Sequence, residues 1–244
     1  MKDLGHGFTL VDRSINLHDS EKFTSLKKTI DYDSFEMIEA FEDKTFYFRD
    51  KNRVYVTSYM CNASVIDGAK PETFKVINAE DGIGYDGNHY YWFDTCLPYD
   101  YSKAEKYNEY YLRAGDKVYF LAEMVEGADT KTFSIIWQNV ARDKESLFFR
   151  GRNVPEVDID TFKAVPGCFD ADHLHQSHSY YAADQNNVYF VNTIGKALKR
   201  LTGVKPSAFS VKIVDNRLYG ISGKDIYFFG IKKKGLVLKL RFLF

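Results

Sequence analysis

Phe46-Tyr47-Phe48-Arg49-Asp50-Lys51-Asn52-Arg53-Val54-Tyr55-Val56 is the stretch that decides how this chain folds. Two runs rich in aromatic and β-branched residues flank a short polar loop, which is the pattern of a β-hairpin. Asp and Asn suit such a loop because their side chains bond their own main chain and tolerate left-handed backbone. The frame then returns: an Asp-centred turn with an aromatic or aliphatic residue five positions on occurs at Asp12 to Leu17, Asp86 to Tyr91, Asp143 to Phe148 and Asp184 to Tyr189. Variants without the Asp stand at Ala114 to Tyr119 and Ser222 to Tyr227, so successive starts lie 38, 36, 28, 29, 41 and 38 residues apart. Periods of this length mark an array whose units each bury an apolar face only by stacking on a neighbour.

A second element alternates with the turns. It reads Asp31-Tyr32-Asp33-Ser34-Phe35, Lys70-Pro71-Glu72-Thr73-Phe74, Asp129-Thr130-Lys131-Thr132-Phe133, Asp158-Ile159-Asp160-Thr161-Phe162 and Lys205-Pro206-Ser207-Ala208-Phe209. Asp favours a helix N-cap and Pro the first helical position, so one short helical turn is expected in each. Ile38, Ile77, Ile136 and Val165 follow four of the Phe residues at i+3, a spacing that would place the pair on one face of that turn. Phe35, Phe74, Phe133, Phe162 and Phe209 are the expected anchors of the seams, each contributing roughly 1.5–3 kcal/mol by burial.

The expectation is therefore an all-β chain with short helical turns: a single domain over 1–244 of about seven β-hairpin repeats starting near 12, 50, 86, 114, 143, 184 and 222. Both an open twisted stack and a propeller-like closure fit, and a unit of ~35 residues is short for a four-stranded blade. Leu236 to Phe244 alternates with period two and reads as a closing strand. Two segments break the repeat, 94–111 and 166–183, and such inserts are where function is grafted onto an array.

The Asp-Lys-Asn-x-Val-Tyr frame and the intervening Gly127-Ala128-Asp129-Thr130-Lys131-Thr132-Phe133, with Asp67-Gly68-Ala69-Lys70-Pro71-Glu72-Thr73-Phe74 close to it, resemble the DKNYY repeat family. The resemblance runs from Thr45 to Phe229 and lapses at Ala114, at Ser222 and after Tyr91. It implies a β-rich, non-enzymatic bacterial protein and supplies no catalytic residues.

Composition narrows the function classes. A formal charge of −1 lacks the basic excess that offsets phosphates, so a general nucleic-acid binder is not expected. Cys61, Cys96 and Cys168 are three widely spaced cysteines, which fit neither a disulfide framework nor a four-cysteine zinc site. Met1 to Gly7 has no apolar run of signal-peptide length and no segment reaches the ~18 apolar residues that span a bilayer, so a cytoplasmic protein away from membranes is expected.

Two constellations remain as candidate sites. Tyr99, Asp100, Tyr101, Glu105, Tyr107, Glu109 and Tyr110 combine rigid aromatic faces with acids and suit a basic protein partner. His173, His175 and His178, beside Asp170 and Asp172, carry ligand types for a metal, since His173 and His175 would share one face of a strand. Gly82-Ile83-Gly84-Tyr85-Asp86-Gly87 leads into a hairpin and not a helix, which argues against a phosphate cradle. Cys168 near the histidines has no orienting residue or oxyanion donor to make it a nucleophile. The expected role is a non-enzymatic protein-binding repeat protein without cofactors, in its specific form an immunity protein that neutralises a toxin domain. The competing class is a metal-dependent hydrolase built on the histidines.

Overall fold

The computed structural model describes residues 1–18, 20–59, 61–169 and 178–234. Within them the chain forms seven antiparallel sheets of four strands, each a meander in sequence order, over 2–21, 36–65, 75–96, 105–124, 134–153, 163–200 and 209–233. The Asp-centred turn joins the two inner strands of its sheet: Thr45–Arg49 pairs with Val54–Ser58 around Asp50, and Ser179–Ala183 pairs with Val188–Asn192 around Asp184. Ser179–Ala183 is thus a strand of the sixth sheet, inside the segment the sequence marks as an insert. Each hairpin gains two outer strands, some only two residues long, such as Thr95–Cys96 and Arg152–Asn153. Strands that short let four fit within ~35 residues. The closing strand expected at 236–244 lies outside the described residues.

The chain divides into two compact units, Met1–Glu105 with Leu121–Glu123, and Lys106–Phe120 with Met124–Phe244. The first holds three whole sheets, and the second holds three whole sheets and the inner strands of the fourth.

The repeat's two elements interlock through the aspartate. Asp50, Asp86, Asp143 and Asp184 are 2, 1, 3 and 4% exposed. One carboxylate oxygen of each accepts two main-chain N–H groups of its own turn, from Asn52 and Arg53, Asn88 and His89, Glu145 and Ser146, and Asn186 and Asn187, at 2.6–2.9 Å. The other oxygen reaches back to the helical turn, accepting the N–H of Asp31, Asp129 or Asp158 at 2.8, 2.9 and 3.1 Å. Where the frame's last residue is Tyr, its hydroxyl donates to that same oxygen: Tyr55 at 2.7, Tyr91 at 3.1 and Tyr189 at 2.7 Å. The residue before three of the Phe anchors returns the clamp, since Ser34, Thr132 and Thr161 accept the N–H of Lys51, Lys144 and Gln185. Thr73 instead donates to the Asp86 carbonyl. A buried carboxylate is tolerable only when its lone pairs are filled in this way.

The five phenylalanines have like surroundings. Each ring lies 5.7–6.2 Å from the aromatic ring five residues after its sheet's turn start, as in Phe35–Tyr55, Phe74–Tyr91, Phe133–Phe148, Phe162–Tyr189 and Phe209–Tyr227. Tilted pairs at this separation contribute about 0.5–1.5 kcal/mol beyond area burial. Phe74, Phe133 and Phe209 also meet Tyr47, Tyr111 and Tyr181, the residues three before the preceding turn. The i+3 expectation is corrected here. A strand starts at or beside each Phe, so the helical spacing no longer applies, and Ile77 is 50% exposed.

Candidate functional site

The third sheet departs from the others at its Asp86 turn. The residue four after the buried turn aspartates Asp50, Asp143 and Asp184 is Val54, Leu147 or Val188, all buried, but after Asp86 it is Tyr90, half-buried. Its ring stacks on Tyr85 across the hairpin at 4.5 Å and 30°, and Tyr101 packs 6.0 Å from it. Together with Tyr99 and Asp100, the Tyr85–Tyr90 pair walls a hollow of about 680 Å³ in the first unit, floored by Leu97 and rimmed by Asn88, His89 and Ser102.

The hollow is built rather than incidental: Tyr90 is held by its ring contacts with Tyr85 and Tyr101, and the other tyrosines are tethered at their hydroxyls. The Tyr99 hydroxyl donates to the Leu121 carbonyl at 2.9 Å, that of Tyr85 to the Gly87 carbonyl at 2.6 Å, and that of Tyr101 to Asp81 at 3.3 Å. Asp100 caps the short 3₁₀ turn Tyr101–Lys103, accepting from the Ser102 N–H and hydroxyl, and pairs with Lys103 at 2.9 Å. The Ser102 hydroxyl and the Lys103 ammonium hold the Asp100 carboxyl below its ordinary range, so it is ionised at neutral pH. Cys96, on the wall, has its thiol pushed up by burial and by Asp86, and stays protonated at neutral pH. Rigid aromatic faces with one fixed negative charge suit recognition of a basic surface.

The other candidates are dispersed. Glu105 closes the first unit's main segment and is exposed. Tyr107, Glu109 and Tyr110 belong to the second unit: Tyr107 packs on Phe133 at 5.1 Å, Tyr110 stacks on Phe120 at 6.0 Å, and Glu109 is exposed. His173 and His175 lie outside the described residues. His178 has its ring Nδ1 3.4 Å from the Gln138 side-chain amide, and its carbonyl accepts from the Thr193 N–H and hydroxyl. Among the described residues there is no group of three or more side chains suited to hold a metal. Cys168 is buried, its sulfur 3.4 Å from both the N and the O of Tyr181. The glycine-rich run 82–87 is a strand, Ile83–Tyr85, entering the Asp86 turn, with no helix after it. Among the described residues no helix is long and apolar enough to cross a membrane.

Sequence reasoning missed Tyr85, Tyr90, Asn88 and His89 because they sit inside a repeat frame that looked purely structural. The available signal was Tyr90 at a position that is aliphatic after Asp50, Asp143 and Asp184.

A family model described as the DKNYY family matches residues 17–165 and, overlapping, 111–239, a wider span than the motifs alone delimit. No curated protein and no solved structure matches the chain.

Proposed function

The chain belongs to the DKNYY family, and from that premise we propose a non-enzymatic protein-binding protein whose tyrosine-walled hollow takes a basic surface of its partner. The observation that carries the reading is the hollow itself: four tyrosines fixed by one another and by main-chain or carboxylate acceptors, with ionised Asp100 beside them. Because the rings are already ordered, little conformational entropy remains to be lost on association. The repeat's buried aspartates support the same reading, since main-chain donors saturate them and leave none for acid–base chemistry. In its specific form the partner is a toxin domain and this chain its cytoplasmic immunity protein.

Capture from the source cells tests this, with the adjacent gene's product as first candidate. Wild-type protein is expected to retain one basic protein stoichiometrically. The double variant Tyr85→Ser, Asp100→Asn, which keeps an Asn cap on the 3₁₀ turn, is expected to bind at least about tenfold more weakly with an unchanged fold. Equal retention by wild type and variant would refute the site. A stoichiometric metal in the purified protein, with hydrolase activity lost on His178→Ala, would favour the competing enzyme.

A further inference from the structure

The seam between the second and third sheets, both in the first unit, differs from two seams of the second unit in a way that opens a second cavity. At those two seams the tyrosine three before the turn bonds the next sheet's main chain. Tyr111 Oη donates to the Asn139 carbonyl and accepts from the Gly151 N–H, both at 3.0 Å. Tyr181 Oη donates to the Tyr227 carbonyl at 3.1 Å and accepts from the Gly230 N–H at 3.3 Å. Both glycines end the turn between the third and fourth strands, and a Cβ on either would stand 2.7 Å from the Cβ of Phe120 or Phe190. Only a glycine lets the sheets approach so closely.

In the third sheet that position is Asp94, following Phe93 at φ 50° as Gly151 and Gly230 follow Arg150 and Phe229 at 53° and 50°. The corresponding tyrosine, Tyr47, is fully buried and its hydroxyl has no hydrogen-bond partner among the described residues. The residue facing the turn is Val56, where the other seams have Phe120 and Phe190. A larger turn residue and a smaller facing one leave a cavity of about 830 Å³, of the size that small-molecule sites have.

The cavity's chemistry selects its occupant. Glu42, Asp43 and Asp94 line it against the single ammonium of Lys44, which pairs with Glu42. Asp43 lies 3.8 Å from the His6 ring nitrogen. Thr45 also lines it, 6% exposed, and Tyr47, with its unfilled hydroxyl, shares the face of Thr45 two residues along the strand. Val56 and the rings of Phe93 and Tyr59 supply apolar and aromatic wall. Carboxylates in excess, an unfilled hydroxyl and aromatic faces favour a hydrogen-bond-donating cation and disfavour an anion. We propose that this cavity is a binding site for a small organic cation, a primary ammonium on an apolar stem, distinct from the tyrosine hollow.

Titration calorimetry of the full chain with phenethylamine, against 2-phenylethanol as the neutral analogue of like shape, tests it. The amine is expected to bind and the alcohol to bind about tenfold more weakly or not at all. Asp94→Asn keeps the wedge and removes its charge, and is expected to weaken the amine about tenfold while leaving the alcohol unchanged. Asp94→Gly restores the glycine of the other seams, and is expected to abolish amine binding and raise the melting temperature. The proposal fails if wild type gives no signal with the amine, if amine and alcohol bind alike, if Asp94→Asn binds the amine as wild type does, or if Asp94→Gly retains it.

Discussion

At the scale of single residues, the repeat is a device for burying a carboxylate. Asp184 receives two turn N–H groups, the Asp158 N–H and the Tyr189 hydroxyl. Hydrogen bonds to a charged group contribute about 1.5–3 kcal/mol each, so Asp184→Ala is expected to destabilise by roughly 3 kcal/mol or more, read as a lower urea midpoint. Burial pushes the carboxyls of Asp86 and Asp184 up, but their N–H and Tyr hydroxyl donors outweigh it and the net shift is downward. A carboxyl lowered by folding contributes stability that is present above its unfolded pKa and lost as pH falls through the folded value. Unfolding free energy should therefore decline below about pH 4, and less steeply in Asp184→Asn. Phe148 offers the converse experiment. It is buried five residues after Asp143 but lacks the hydroxyl that Tyr55, Tyr91 and Tyr189 supply. Phe148→Tyr is expected to raise stability by about 1 kcal/mol, and a loss of more than that would mean the frame is not equivalent there.

At the scale of the element, the anchor Phe needs a small residue beneath it. The position two before the turn is Gly84, Ala141, Ala182 or Gly220 in four sheets. A Cβ at Gly84 would stand 2.2 Å from the Phe74 ring, and one at Gly220 2.4 Å from the Phe209 ring. The fourth sheet has no such Phe, and Leu112 occupies the position, buried. The second sheet has both, and accommodates them by stacking Phe35 on Phe48 at 5.4 Å and 17°. Gly220→Ala is expected to destabilise by about 1–3 kcal/mol through overpacking. Gly223→Ala, at φ +58° with nothing near its added Cβ, should lose only about 1 kcal/mol from backbone strain. Thermal melts of the two variants side by side distinguish packing from conformation, and equal losses would remove the Phe209 contact from the explanation.

At the scale of the whole molecule, stability leans on buried tyrosine in both units. Burial drives the hydroxyls of Tyr111 and Tyr181 up to about 12, and raises Tyr47, Tyr55, Tyr91 and Tyr189 further. For a group raised by folding, stability is whole below the unfolded value near 10 and is lost as pH rises through the folded one. The protein should therefore weaken steeply between about pH 10 and pH 12. An ultraviolet titration should show a fraction of the 18 tyrosines ionising only as the chain unfolds. Smooth titration of every tyrosine near pH 10 would contradict it.

What the sequence determined by itself is whatever its chemistry does over short distances. The carboxylate's bonds reach two, three and five residues on, so Asp50 to Tyr55 and its copies are visible as a written frame, and the Phe elements repeat because every unit needs the same anchor. Strands two residues long carry no periodicity, and for that reason the sheets have four strands where the sequence promised two. The tertiary structure alone decided which seams close and which open. Tyr111 and Tyr181 reach glycines 40 and 49 residues away, whereas Tyr47 finds none, and no local pattern encodes a contact across that separation. The tyrosine hollow arises in the same way, because Tyr85 and Tyr90 wall it only once folding brings Tyr99 and Asp100 beside them.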